Sequence, residues 1–278
     1  MLDDYYPHNK NVTLFIIITF SFSWLLWLPS LLSSFGLFNY SLVFNGLILI
    51  GSFGPSLAGF FLTLFGEGFE ATQNLWHRCW HWHKWYYFLV SIFLVPALFG
   101  VSFILALSID RNTPQGLNPF IDFKNVIYLY IIIFFLGGPL QEEVGWRGYL
   151  LEHLQSAYDA LNSSIILGGI WGLWHFPLFY IIGSLYVNQT FFFFLSSTII
   201  LSILFTWLNN NTNGSILVAM TFHTSINASN FIFLQYFTFL GNLLFSILLD
   251  IVVVIVLLLF GPKTLTFKKR KNQINKDY

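Results

Sequence analysis

Eight stretches of roughly 20 predominantly apolar residues follow one another along this chain, near 12–35, 42–65, 85–108, 124–146, 163–182, 190–208, 215–239 and 242–261. About 20 such residues are what a helix needs to cross roughly 30 Å of hydrocarbon. Lipid offers backbone N–H and C=O groups no partner, so strands with open edges are ruled out and every stretch is expected to be helical. Charged residues make up 9% of the chain and its mean hydropathy is +0.70, whereas a soluble domain carries about 25% charged residues. The expected fold is therefore all-α, a polytopic membrane helix bundle of about eight transmembrane helices with any active site inside the bundle. No segment between the stretches is polar enough to fold alone, so residues 1–278 read as a single transmembrane domain.

The first stretch is too long for a signal-peptide core and lacks a small-residue cleavage site, so it is expected to stay attached as the first helix. Twelve basic residues balance twelve acidic ones, which makes the placement of charge more telling than its sum. Lys263, Lys268, Lys269, Arg270, Lys271 and Lys276 crowd the C-terminus, and an excess of Lys and Arg marks the cytosolic side. An even number of spans then puts both termini in the cytosol, together with the loops 66–84, 147–162 and 209–214; a multi-pass protein of the plasma membrane is expected. Arg111 and Lys124 fall on the outer side in this arrangement. The lone Cys79 can form no internal disulfide. His77, His81 and His83 alternate with Trp and Lys, a mixture suited to the headgroup layer; His77 and His81, four apart, would also share a helix face but lack a third metal ligand.

Ionisable side chains inside a span are costly and mark function by default. Glu142, Glu143 and Arg147 stand in the fourth stretch, His175 in the fifth, His223 and Asn227 in the seventh, and Asp250 in the eighth. Glu143 and Arg147 are four residues apart with the acid first, the favoured order for a helical ion pair. Glu142 then points about 100° away. Gly137, Gly138 and Pro139 directly precede the pair, and such a sequence loosens a helix and opens room beside Glu142. Counting rises of about 1.5 Å per residue puts Glu142, His175 and His223 in the cytosolic half at depths that could meet, with Asn227 one turn beyond His223.

The chemistry open to this set is water activation: a carboxylate takes a proton from water, a neutral imidazole orients it, and a second His with an Asn amide donates to a developing oxyanion. The same Glu142, His175 and His223 could instead hold a divalent metal such as zinc, since two His, one Glu and water form a known catalytic ligand set. Each group also has a plainer reading. A Glu–Arg pair can be a structural clamp, a buried His can simply bond a carbonyl, and Asp250, alone among Ile, Val and Leu, can pair with a neighbouring helix.

Three motifs add a resemblance. Glu142-Glu143-Val-Gly-Trp-Arg147 resembles the Glu-Glu-x-x-x-Arg motif of the CAAX-protease and bacteriocin-processing family of intramembrane proteases; Trp171-Gly-Leu-Trp-His175 is similar to its Phe-x-x-x-His, and His223-Thr-Ser-Ile-Asn227 to its His-x-x-x-Asn. They fall in order on a motif-bearing core of about 124–239, and Trp171 departs from the usual Phe. The resemblance implies a hydrolase with Glu142 as general base, His175 as its partner on the water, His223 and Asn227 at the oxyanion, and Glu143 and Arg147 in support. It leaves metal dependence open, because both metalloprotease and metal-free glutamate mechanisms are ascribed to the family. The implied partners are the bilayer and a membrane-associated peptide or protein, lipidated or not, with no nucleic acid. Competing expectations are a catalytically silent bacteriocin-immunity or scaffold protein and a proton-coupled transporter.

Overall fold

A computed structural model describes residues 7–82, 84–110, 123–187, 189–233 and 239–267. Among these residues every regular element is helical. Four helices are long and apolar enough to cross a membrane: α1 (Pro7–Ser34, its span counted from Asn11), α5 (Trp85–Ile109), α10 (Phe191–Asn211) and α12 (Phe239–Phe260). Two further stretches are broken. α2 (Val43–Gly51) and α3 (Gly54–Leu62), the latter continued by a π-helical turn at Thr63–Glu67, meet at 41°. α6 (Phe123–Leu136) meets the run formed by α7 (Pro139–Gly145), a π-helical turn at Trp146–Leu150 and α8 (Leu151–Gln155) at 44°. A short helix, α4 (Phe69–Arg78), lies between the third and fifth.

Among the described residues four helices, or up to six spans if each bent pair is counted as one, have the length and composition of a full crossing, against the eight stretches of the sequence. The fifth and seventh stretches yield α9 (Ala160–Trp174) and α11 (Ile216–Ile232), of 15 and 17 residues. Asp159 caps α9 by accepting from Asn162 N–H at 2.8 Å. At its other end Pro177 has no N–H to continue the ladder, so the chain passes into a 3₁₀ turn at Phe176–Tyr180. Ser215 caps α11 in the same way through Val218 N–H. Both helices are largely buried by their neighbours, and a helix sheathed in protein need not match the bilayer thickness.

Glycines set how closely these helices meet. A Cβ on Gly145 of α7 would stand 2.1 Å from the carbonyl oxygen of Pro55 in α3, and one on Gly168 of α9 would stand 2.5 Å from Cα of Ile199 in α10. Such backbone contact is how small residues hold membrane helices together where lipid removes the hydrophobic drive. Outward-facing positions are apolar, Leu25, Phe93, Ile104 and Leu258 among them, as a lipid-facing surface requires.

The loops at one end are tied together by polar contacts. Arg78 pairs with Glu152 at 2.6 Å and donates from Nε to the Gly214 carbonyl at 2.8 Å. Lys84 reaches the carbonyl of Asn211, and Ser215 Oγ donates to that of His81. Backbone N–H groups of Ala160 and Leu161 donate to Lys263 and Pro262 beyond α12. The three loops grouped on one side by charge therefore do share one end of the bundle.

Candidate active site

Gly138, at φ +113°, is where α6 ends and α7 begins. That conformation is open to glycine and strained for other residues. The break points the first turn of α7 into the bundle, and Gln141, Glu142 and Glu143 are all buried. Leu140 and Gln141 are fastened to the preceding layer, the former through its carbonyl to Ser56 Oγ at 3.0 Å and the latter through its amide to Leu49 O at 3.4 Å.

As the spacing predicts, Arg147 holds Glu143 while Glu142 turns elsewhere. Nη1 of Arg147 lies 2.9 Å from Glu143 Oε1, with both side chains essentially unexposed. The guanidinium also donates to Ser202 Oγ at 3.3 Å and lies 3.7 Å from the Phe205 ring centroid and 4.6 Å from that of Trp171. Two hydrogen bonds and two aromatic faces give a planar cation the partners it needs away from water. Nothing in the sequence pattern of α10 announces Ser202 and Phe205 as part of this arrangement.

Glu143 Oε1 also meets Nδ1 of His223 at 2.7 Å. A carboxylate paired with Arg accepts, so His223 carries its proton on Nδ1 and leaves Nε2 for the opposite side. The 2.9 Å contact between Nδ1 of His175 and the Trp171 carbonyl fixes that ring in the same tautomer, because a carbonyl only accepts. Asn227 donates its amide to the Gly137 carbonyl at 2.8 Å, tying α11 to the break before α7.

Glu142 is held differently. Its Oε2 accepts from Trp171 Nε1 at 2.7 Å. Its Oε1 is 2.8 Å from where a Cβ on Gly138 would stand, and Cε1 and Nε2 of His223 are each 3.5 Å from that same point. The missing side chain of Gly138 thus lets a carboxylate oxygen and the free nitrogen of an imidazole both come close to its backbone, the oxygen closer than a Cβ would allow. The Trp171 ring packs edge-on against both histidines, at centroid distances of 5.9 Å to His175 and 5.5 Å to His223.

The structure thus gathers Glu142, Glu143, Arg147, Trp171 and His223, with Asn227 at the break. His175 follows Trp174 at the end of α9, among Trp174, Tyr186 and Phe194, and so stands at a helix terminus where a position within a continuous span was expected; Pro177 is the cause. Among the described residues no three His, Cys, Asp or Glu side chains are grouped to hold a metal ion, so Glu142, His175 and His223 do not form a ligand set in this arrangement. Asp250 is exposed on α12, outside this group. His77 and His81 stack at 4.6 Å away from it, and His83 lies outside the described residues.

Comparison with known proteins agrees with the motifs. Residues 124–229 match the family model "Type II CAAX prenyl endopeptidase Rce1-like", a segment that contains every residue of the cluster. The chain is also 27% identical over 233 residues to the CAAX prenyl protease 2 of Methanococcus maripaludis, covering 79% of this chain and 84% of that protein. A bundle of apolar helices, a buried acid–histidine cluster and these two likenesses lead to one statement: the chain is a multi-pass membrane protein similar to the CAAX prenyl endopeptidases.

Proposed function

We propose that this chain cleaves a peptide bond of a membrane-associated peptide or protein by water that Glu142 activates. The convergence of Glu142 Oε1 and His223 Nε2 beside Gly138, with Glu142 Oε2 held by Trp171, is the observation that carries the reading. Water bound at Glu142 Oε1 gives it a proton as the water oxygen bonds to the scissile carbonyl carbon, and the carbonyl π pair moves onto oxygen. The second amide hydrogen of Asn227 is the donor for that oxyanion, while His223, its proton held on Nδ1 by Glu143, accepts the water's other hydrogen at Nε2. His175, with Nδ1 engaged, offers Nε2 to the water or to the substrate. Collapse of the intermediate restores the carbonyl, breaks the C–N bond and returns the proton from Glu142 to the leaving nitrogen, so that a carboxylic acid and an amine are released.

No step passes through a metal, because the residues are not grouped as a ligand set. The substrate class we propose is a peptide with a lipid-anchored end, and a prenylated C-terminal motif, as in the name of the archaeal relative, is the first to try. Arg78, Lys84 and Lys263 sit at the end where the loops are tied together, and the positive-inside rule makes that end cytosolic, with cleavage expected near that face.

The test is purified protein in liposomes given an internally quenched farnesylated peptide, with new termini in membranes of producing cells read by mass spectrometry. Glu142→Gln at equal abundance is expected to abolish both signals, and a chelator to leave the wild-type rate unchanged. Unaltered termini with Glu142→Gln would instead support a silent scaffold or immunity protein. Activity lost to the chelator and restored by zinc would overturn the metal-free route.

A further inference from the structure

The two oxygens of Glu142 stand in different surroundings. Oε2 accepts from the indole N–H of Trp171 at 2.7 Å, whereas Oε1 lies on the other side, close to the Gly138 backbone and the His223 ring. Resting on the reading of Glu142 as base, we propose that Trp171 is a positioning residue that divides the work of this carboxylate, fixing Oε2 so that Oε1 alone takes the proton from water.

Several features support this. A carboxylate on a short run of rotatable bonds can present either oxygen to either side, and a single donor in a dry site removes that freedom. Trp171 is itself hemmed in: it is buried, its ring faces the Arg147 guanidinium at 4.6 Å, and its edges meet His175, His223 and Phe205. Its backbone carbonyl holds Nδ1 of His175 at 2.9 Å, so one residue sets the direction of the base and the tautomer of a histidine. A Phe at this position would keep an aromatic face and the carbonyl but supply no donor.

The experiment separates the N–H from the ring. Trp171 is replaced, by suppression at that codon, with β-(3-benzothienyl)alanine, which keeps the shape and π face and has no N–H. A fluorinated tryptophan that retains the N–H serves as the rescue, and Trp171→Phe and Glu142→Gln are assayed beside them on the farnesylated quenched peptide. Misplacing a catalytic group by about an ångström costs on the order of 100-fold. The expected result is a fall in kcat of about 10- to 100-fold for the benzothienyl protein with KM within about twofold, an unchanged thermal midpoint, and full activity for the fluorotryptophan protein. Wild-type kcat in the benzothienyl protein, with Glu142→Gln inactive, would overturn the role of Trp171 and leave the base in place. Activity retained by Glu142→Gln would remove both.

Discussion

Glu143 is the residue on which two functions meet, because one oxygen serves both Arg147 and His223. Breaking a buried ion pair by removing one partner costs about 3–5 kcal/mol, whereas replacing both with apolar groups of similar size is often neutral. Arg147→Met is therefore expected to lower the unfolding free energy in detergent by that amount, and Arg147→Met with Glu143→Leu to regain most of it. Activity should not return in the double variant, since His223 Nδ1 has lost its acceptor and the ring its fixed orientation. A double variant as active as the wild type would mean that the pair is only a clamp. Cys79 makes a different case on the connecting segment after α4. Burial pushes its thiol up to about 12, with Arg78 pulling the other way, so the folded state keeps a proton that the unfolded chain releases above a pKa of 9.0. Stability relative to Cys79→Ala is accordingly expected to decline as pH rises from about 9 toward 12, and a maleimide at pH 8 should label Cys79 only after denaturation.

At the level of elements, two helical glycines behave in opposite ways. Gly145 would drive a Cβ into the Pro55 carbonyl, whereas Gly169, one residue past Gly168 on α9, has open space. Gly145→Ala is expected to destabilise by about 1–3 kcal/mol or more through overpacking, with loss of activity as α7 shifts from α3. Gly169→Ala should instead raise the midpoint, because Ala is the better helix former by about 1 kcal/mol. Thermal unfolding of the two in the same detergent checks both signs. The bend of 44° between α6 and α7 belongs to this scale as well. It turns Glu142 from a residue deep in a straight span into one that opens a helix at the centre of the bundle, with Asn227 securing the break through Gly137.

Over the whole molecule, the contacts of Arg78 with Glu152 and Gly214, of Lys84 with Asn211 and of Lys263 with Ala160 join chain segments far apart in sequence at one end. The Arg78–Glu152 pair is half open to solvent and adds at most about 1 kcal/mol by itself. Its larger part is to fix the ends of α4, α8 and α11. In a Cys79→Ala background, cysteines placed at Glu70 and Lys263 should label with an impermeant maleimide from one side of sealed vesicles, and a cysteine at Leu185 from the other. Labelling of Glu70 and Leu185 positions from the same side would contradict the proposed orientation.

The sequence by itself determined the solvent, the helical class and the set of residues that carry chemistry. Hydrocarbon permits few backbone solutions, and a charge there must have a reason, so apolar runs and the acids and histidines within them are legible without any fold. The Glu143–Arg147 pair was legible too, since helical spacing alone decides it. Pro177 ends α9 locally, but only the tertiary structure decided that α9 and α11, of 15 and 17 residues, are sheathed by their neighbours, because burial by other helices is recorded in no local pattern. It also decided that His223 answers to Glu143, that Trp171 donates to Glu142, and that Ser202 and Phe205 complete the seat of Arg147. Those partners lie 29 to 80 residues apart in the chain, and which side chains meet over such separations depends on how glycine-lined helices approach one another.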